Sequence, residues 1–202
     1  MRKFVAVVAA GCTLLAGTAS ASLLQQTAPG AVAYVFGPDA DYIVMSGSAL
    51  GDVTGPVQAV DLQLGLGNTS TSGCEAADFA GFAAGSIALI QRGVCTFEDK
   101  AENAALAGAI GVLIFNQGNA NTSDRMGVIQ GTLGEGYTGG IPVLALSYAL
   151  GAALASTSGL QIHMQVVAAD LPPLPEPATL ALLGLGLAGL ATVRRRRPHK
   201  ED

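Results

Sequence analysis

Residue types that carry out enzyme chemistry are sparse in this 202-residue chain. His163 lies in Leu160–Val166, where apolar and polar residues alternate, and this alternation places it on the solvated polar face of a strand. A serine nucleophile needs a positioned base. The chain contains none of the GxSxG, HExxH or SxxK motifs. The sequence therefore predicts a protein that is not an enzyme and needs no cofactor.

Asp39 and Asp41 form a pair of carboxylates that offers oxygen ligands of the kind that calcium prefers. No EF-hand spacing follows them, and a turn rich in proline and aspartate accounts for the same residues. We therefore predict no metal site, with weak calcium binding at this pair as the alternative.

Charge is distributed unevenly along the chain. Between residues 22 and 175 there are 12 acidic side chains and three basic ones, Arg92, Lys100 and Arg125. Such a surface repels phosphate backbones, so no nucleic acid partner is expected. We expect Arg92 and Lys100 to pair with carboxylates such as Asp78 or Glu98 rather than to bind a ligand.

The N-terminus has the organisation of a secretory signal peptide. Met1–Lys3 is positively charged, Phe4–Ala16 is almost entirely apolar, and Ala19–Ala21 supplies the small residues that signal peptidase accepts. We predict a signal peptide over residues 1–21, removed by signal peptidase so that Ser22 becomes the first residue. A retained N-terminal anchor is the alternative.

The C-terminus has three parts, predicted as a linker with a Pro-Glu-Pro motif over 171–177, a transmembrane helix over 178–193 and a basic cytoplasmic tail over 194–202. The residues of the motif and of its basic run are Pro175, Glu176, Pro177, Arg194, Arg195, Arg196 and Arg197. This arrangement resembles the PEP-CTERM sorting signal of Gram-negative bacteria. The resemblance implies a transient inner-membrane anchor, processing by an exosortase, and release to the cell surface or the extracellular matrix. A permanent tail anchor is the alternative.

Residues 22–170, between these signals, are predicted to form one α/β domain with a strong β component. Thr96 and Asp99 are spaced as a capping box at the start of a helix that runs to Gly108, and a second short helix is expected over Tyr148–Ala155. The predicted strands are Val32–Phe36, Tyr42–Met45, Val57–Leu64, Ser86–Gln91, Ile110–Phe115, Ile141–Leu146 and Leu160–Val167.

Three stretches of this domain carry a more specific pattern. They are Gly73–Phe79 (GCEAADF), Ile87–Lys100 (IALIQRGVCTFEDK) and Asn103–Asn116 (NAALAGAIGVLIFN). With Ile141–Val143, they resemble the signature of the protease-associated (PA) domain. The resemblance implies an open β-barrel or sheet flanked by short helices, with no catalysis of its own. In that family the domain mediates protein interaction or gates access to a protease.

Cys74 and Cys95 are the only cysteines that remain once the signal peptide, with its Cys12, is removed. An even pair in an exported chain favours a disulfide, which would stabilise the fold by about 3 kcal/mol. Two free thiols and a metal site are the alternatives.

The long connection over 117–140 is the predicted recognition segment, because connections of this length between buried strands are usually functional or mobile. A short strand over Met126–Ile129 would shorten it, and a merely flexible surface loop is the alternative. The candidate binding residues are Asn119, Asn121, Arg125, Glu135 and Tyr137.

These observations predict an exported, non-catalytic binding module that recognises an unknown protein or peptide of the cell envelope or matrix. The alternatives are a structural protein of an exopolysaccharide matrix and an accessory subunit of a separate protease. Signal peptidase and exosortase are the expected processing partners.

Overall fold

Eight strands and two α-helices occur in the part of the chain that the computed structural model describes, residues 21–65, 69–118 and 125–170. The helices are α1, Phe97–Leu106, and α2, Tyr148–Ala155, and single 3-10 turns span Ala76–Phe79 and Ala168–Asp170. The strands are β1 Leu23–Ala28, β2 Val32–Ala33, β3 Tyr42–Val44, β4 Gly51–Ala59, β5 Ile87–Gln91, β6 Gly111–Phe115, β7 Val143–Leu146 and β8 Gln161–Val166.

The strands form one mixed sheet in the order β2-β1-β8-β4-β5-β6-β7-β3. The pairs β4–β5, β5–β6 and β6–β7 are parallel, and the remaining pairs are antiparallel. The sheet curls so that its two ends meet at Tyr42 on β3. Tyr42 forms an isolated bridge with Phe36, and its hydroxyl donates to the carbonyl of Ser22, next to β1. This curling gives the half-barrel shape expected of the domain.

The two helices pack on opposite faces of the parallel strands. Ala101 and Ala104 of α1 share one hydrophobic cluster with alternate residues of β5, β6 and β7, including Ile90 and Ile114. On the other face, α2 approaches the buried ring of Phe115 so closely that a Cβ at Gly151 would lie 2.0 Å from its Cγ. The strands β5, β6 and β7 are therefore buried on both sides, as their continuous apolar sequences require.

The α/β class with a strong β component is confirmed, α1 begins at the predicted cap Thr96, and α2 spans the predicted residues Tyr148–Ala155. The structure differs from the prediction at the strands near the N-terminus. β1 was not predicted, the predicted strand over Val57–Leu64 is instead β4, Gly51–Ala59, and the strand expected over Val32–Phe36 is reduced to β2. The segment Met126–Ile129 forms no strand.

Within the described ranges, no helix is long and apolar enough to cross a membrane. The predicted signal peptide up to residue 20, the linker with its Pro-Glu-Pro motif, the anchor helix over 178–193 and the tail over 194–202 lie outside the described residues.

Candidate functional site

Polar side chains gather where the parallel strands β5 and β6 end, which is the edge at which α/β sheets usually bind ligands. Arg92 follows β5, and its Nη1 lies 3.4 Å from Oδ1 of Asn116, which follows β6. The guanidinium also lies 5.7 Å from the centre of the Phe97 ring at the start of α1, within the range of a cation–π contact. Asn116 donates through Nδ2 to the carbonyl of Gly127 at 2.8 Å. Arg92 and Asn116 therefore connect the strand ends to α1 and to the long loop.

A disulfide joins Cys74 to Cys95, as the sequence predicts, with the two Cα atoms 5.7 Å apart. Lys100 of α1 is fully buried beside it and donates to the carbonyl of Ser72 and to Sγ of Cys74, the latter at 3.5 Å. Burial lowers the pKa of the Lys100 ammonium from its ordinary 10.5 to about 8, although the carboxylates of Asp78 and Asp99 act in the opposite direction. The ion pair expected for Lys100 is thus replaced by contacts to a carbonyl and a sulfur.

The segment that carries Cys74 is also held by α1 and by the chain after β5. Asn103 of α1 donates through Nδ2 to the carbonyls of Gly73 at 3.2 Å and Cys74 at 2.9 Å. A Cβ at Gly93 would lie 1.7 Å from the carbonyl oxygen of Ser70, so only glycine allows this close approach. The disulfide, the lysine and the asparagine together fix the segment before β5 against α1.

The second half of the long loop lies against two acidic side chains of α1. Glu102 accepts hydrogen bonds through Oε1 from the backbone N–H and the hydroxyl of Thr138, at 3.2 and 3.1 Å. Glu98 lies so close to the loop that a Cβ at Gly136 would be 2.3 Å from its Oε1. This half of the loop is therefore positioned by α1 rather than extended into solvent.

Three of the five predicted binding residues of the loop, Arg125, Glu135 and Tyr137, lie in the part of the chain that the structure describes. Asn119 and Asn121 lie outside the described residues, and the carbonyl of Arg125 accepts from the N–H of Gly118 at 2.9 Å. Glu135 is exposed. The Tyr137 hydroxyl donates to the carbonyl of Ile141 at 3.0 Å and accepts from its N–H at 3.3 Å, so this ring closes the end of the loop. Burial raises the pKa of the Tyr137 phenol above its usual value, and the nearby Glu102 adds to that effect.

An exposed apolar side chain that the sequence analysis did not single out ends α1. Leu106 is 86% exposed, the highest value among the exposed large hydrophobic residues of the described chain. It lies between two grooves of about 280 Å³ each. One groove is also lined by Glu102 and Thr138, and the other by Phe79 and Asn103. Leu106 is the last residue of α1, and the other apolar residues of this helix after Phe97 are all alanine. This contrast is the sequence signal that would have identified it.

The residues considered for catalysis and metal binding have structural partners. Nε2 of His163 lies 2.8 Å from Oδ1 of Asp52 on the neighbouring strand β4, so this ring is paired rather than merely solvated. Asp41 accepts through Oδ2 from the N–H of Val35 at 2.8 Å, as a turn residue does. Across the three described ranges, no group of three or more His, Cys, Asp or Glu side chains is arranged to hold a metal ion.

Comparison with protein families agrees with this architecture. The chain belongs to the PA domain family, whose model matches residues 53–154, just over half of the chain. The PEP-CTERM protein-sorting motif matches residues 173–197, which marks an exported protein. Both family resemblances are thereby confirmed.

Relatives of the domain are peptidases. An aminopeptidase of Pseudomonas aeruginosa strain PAO1 is 57% identical over 143 residues, 71% of this chain and 26% of its own length. The leucine aminopeptidase 2 of Trichophyton equinum is 35% identical over 99 residues, 48% of this chain and 19% of its own. This chain thus spans about a quarter or less of the length of these relatives.

Solved structures agree with the sequence relatives. An aminopeptidase from Aneurinibacillus sp. strain AM-1 has a TM-score of 0.54 and 29% identity, covering 73% of this chain and 31% of its own. A zinc aminopeptidase from Bacillus subtilis has a TM-score of 0.50 and 26% identity, covering 72% and 31%.

The predicted function, a free-standing non-catalytic module that binds an envelope or matrix protein, is wrong in the light of these relatives. The same domain in its relatives is part of proteins named aminopeptidases. The sequence pointed to proteases only through the PA resemblance and the accessory-subunit alternative, because the residues of a PA domain carry packing and contacts and none of them indicates which catalytic domain it serves.

Proposed function

We propose that residues 22–170 act as the protease-associated domain of an aminopeptidase, packing against a peptidase catalytic domain beside its substrate entrance. The identity of 57% over 143 residues with the Pseudomonas aeruginosa aminopeptidase is the observation that carries this proposal. In this proposal the catalytic domain cleaves the peptide. The PA domain forms a rigid surface beside the active site that restricts how a peptide can enter it.

The end of α1 is the surface that we assign to this contact. Leu106 offers an exposed apolar side chain, and the grooves on both sides of it can accept side chains from a partner. Glu102 lines one groove with a carboxylate, so a complementary surface combines an apolar pocket with a basic rim. Because α1 is fixed by the disulfide, Lys100 and Asn103, this surface is ordered before contact.

A domain exchange tests the proposal. The matched segment of the Pseudomonas aeruginosa aminopeptidase is replaced by the aligned segment of this chain, and kcat/KM is measured on an amino-acid p-nitroanilide and on a peptide. We expect the chimera to retain kcat/KM within about 10-fold of the parent, an activation free-energy difference of about 1.4 kcal/mol. An enzyme from which the segment is deleted is the reference. A folded chimera no better than this deletion would contradict the proposal.

Two matched substitutions in the chimera test the surface. Leu106→Asp places a charge in the proposed contact, whereas Val94→Asp places the same charge at another apolar side chain, 63% exposed. We expect Leu106→Asp to lower the kcat/KM of the chimera by at least about 10-fold, because the proposed contact with the catalytic domain buries this exposed leucine. Val94→Asp should leave kcat/KM unchanged. Equal effects of the two substitutions would show that the end of α1 does not form the proposed contact with the catalytic domain.

For delivery, we propose removal of a signal peptide over 1–21 and transient anchoring in the inner membrane through the segment over 178–193. Exosortase processing near Pro175, Glu176 and Pro177 then releases the domain to the cell surface or the medium. The matched sorting motif over 173–197 supports this route, and the run Arg194–Arg197 favours a cytoplasmic tail.

A further inference from the structure

Ser22, the predicted first residue of the domain after signal-peptide removal, is buried at the seam where the two ends of the curled sheet meet. Ser22 is 5% exposed, and each of its polar atoms has a partner. Its nitrogen donates to Oδ2 of Asp170, its Oγ accepts from the N–H of Val167 at 3.1 Å, and its carbonyl accepts from the hydroxyl of Tyr42 at 3.0 Å. Two separate parts of the chain, residues 167–170 and Tyr42 on β3, thus converge on one serine.

The predicted cleavage by signal peptidase changes the chemistry of this contact. Water hydrolyses the bond between Ala21 and Ser22, so the hydroxyl joins the Ala21 carbonyl carbon and the nitrogen of Ser22 gains the proton. At neutral pH that nitrogen takes up a further proton and becomes an ammonium group. A neutral amide with one N–H is thereby converted into a cation with three, at an atom that already contacts a carboxylate.

We infer that Asp170, Val167 and Tyr42 form a binding site for the mature N-terminus, in which the Asp170 carboxylate holds the α-ammonium group of Ser22. A buried charge is stable only when it is paired and hydrogen-bonded, and Asp170 provides both. The hydroxyl of Ser22 makes the site specific for a small hydrogen-bonding side chain, because it accepts from Val167. Removal of the signal peptide therefore strengthens the closure of the sheet.

The test compares four chains that all end at Asp202 and are measured in the same mild detergent. Two begin at Ser22, with Asp170 or with Asp170→Asn. Two keep residues 19–21 in front of Ser22, with the same pair at position 170, so that the Ser22 nitrogen stays an amide. We expect Asp170→Asn to lower Tm by about 3–8 °C in the chain that begins at Ser22, and by less than half as much in the extended chain. Equal losses in both would overturn the inference.

Dependence on pH gives a second readout. The α-ammonium group has an ordinary pKa of about 7.7–8.0, and pairing with a carboxylate raises the pKa of the folded state. Its stabilisation is therefore complete below about pH 8 and is lost as pH rises through the raised value. The advantage of the Ser22 chain over the extended chain should disappear by about pH 10. An advantage that is the same at pH 7 and pH 10 would contradict the inference.

The other titratable groups at the seam are Asp170, Tyr42 and, beside Tyr42, Asp41. Burial, reinforced by the Asp170 charge, raises the pKa of the Tyr42 phenol above its ordinary 10, so this group keeps its proton over most of the range. Both chains carry all three groups, so their contributions cancel in the comparison. Finally, the mass of the exported protein's N-terminal peptide must place Ser22 first, and any other first residue would overturn the inference.

Discussion

Lys100 lies in an environment that its residue type seldom occupies, because a lysine side chain is rarely completely buried. Its ammonium group contacts the carbonyl of Ser72 and the sulfur of Cys74, and burial lowers its pKa to about 8. The unfolded chain binds this proton up to about pH 10.5, so between about pH 8 and 10.5 it binds more protons than the folded domain. Stability should therefore rise with pH across this interval.

Replacement of the lysine tests that expectation. Relative to a Lys100→Met variant, we expect the free energy of unfolding of the natural protein to increase by about 2 kcal/mol between pH 7 and pH 9.5. Urea denaturation at both values measures it. Arg125→Met replaces a basic residue that is not fully buried and keeps Lys100, so relative to this matched control the natural protein should show no such increase. Parallel pH profiles for the natural protein and Lys100→Met would contradict the expectation.

At the residue scale, the sequence was informative where the chemistry of a side chain allows few kinds of partner. The cysteine pair was predicted from its even count, and the PA family was predicted from residues that hold the segment around that pair. The contacts of Lys100, Asn103 and Ser22 were not predicted, because each depends on backbone atoms that are distant in sequence. The environment of Gln26 was also not predicted: this residue is buried, and its side chain forms hydrogen bonds with the Tyr34 hydroxyl and the Gly30 carbonyl.

At the element scale, local rules predicted α1 and the apolar strands but not β1 or the bounds of β4. The helix begins at Thr96, whose hydroxyl accepts from the N–H of Asp99 at 3.0 Å, as its capping-box sequence predicts. β4 contains Gly55 and Pro56, residue types that are disfavoured inside a strand. The strand forms because its first part pairs with β8 and its last part with β5. Pairing between distant segments therefore overrides the local preference.

The contact between α1 and the long loop yields a prediction at this scale. Glu102→Ala removes the carboxylate that accepts from the backbone N–H of Thr138. We expect amide hydrogen exchange at Thr138 to accelerate by about 10-fold, because one hydrogen bond to a charged group contributes about 1.5 kcal/mol. Exchange followed by mass spectrometry on peptides covering residues 134–141 measures it.

Glu135→Ala is the matched control, since it removes the same side chain from the exposed side of that loop. Exchange at Thr138 should stay at its natural rate in this variant. Acceleration of similar size in both variants would show that α1 does not position the loop.

At the scale of the whole molecule, the folded domain is followed in the sequence by the matched sorting motif, which we propose directs the processing and release of the protein. Glu176 is the acidic residue between Pro175 and Pro177, near the start of the matched sorting motif. We expect Glu176→Ala to leave the protein in the membrane fraction at its uncleaved mass, because the processing enzyme no longer recognises its motif. Fractionation of the native host with mass spectrometry measures this. Release should be normal for Glu135→Ala, and normal release of Glu176→Ala would contradict the proposed route.

The pairing of Ser22 with Asp170 has a geometric consequence beyond stability. The two ends of the domain lie side by side, so a host chain can enter and leave at one point of its own surface. Insertion into a surface loop then requires almost no stretching of that loop, and the added cost of loop closure is small. Such a domain can be transferred between polypeptides as an insert. This property fits a segment that matches only 26% of the length of a Pseudomonas aeruginosa aminopeptidase.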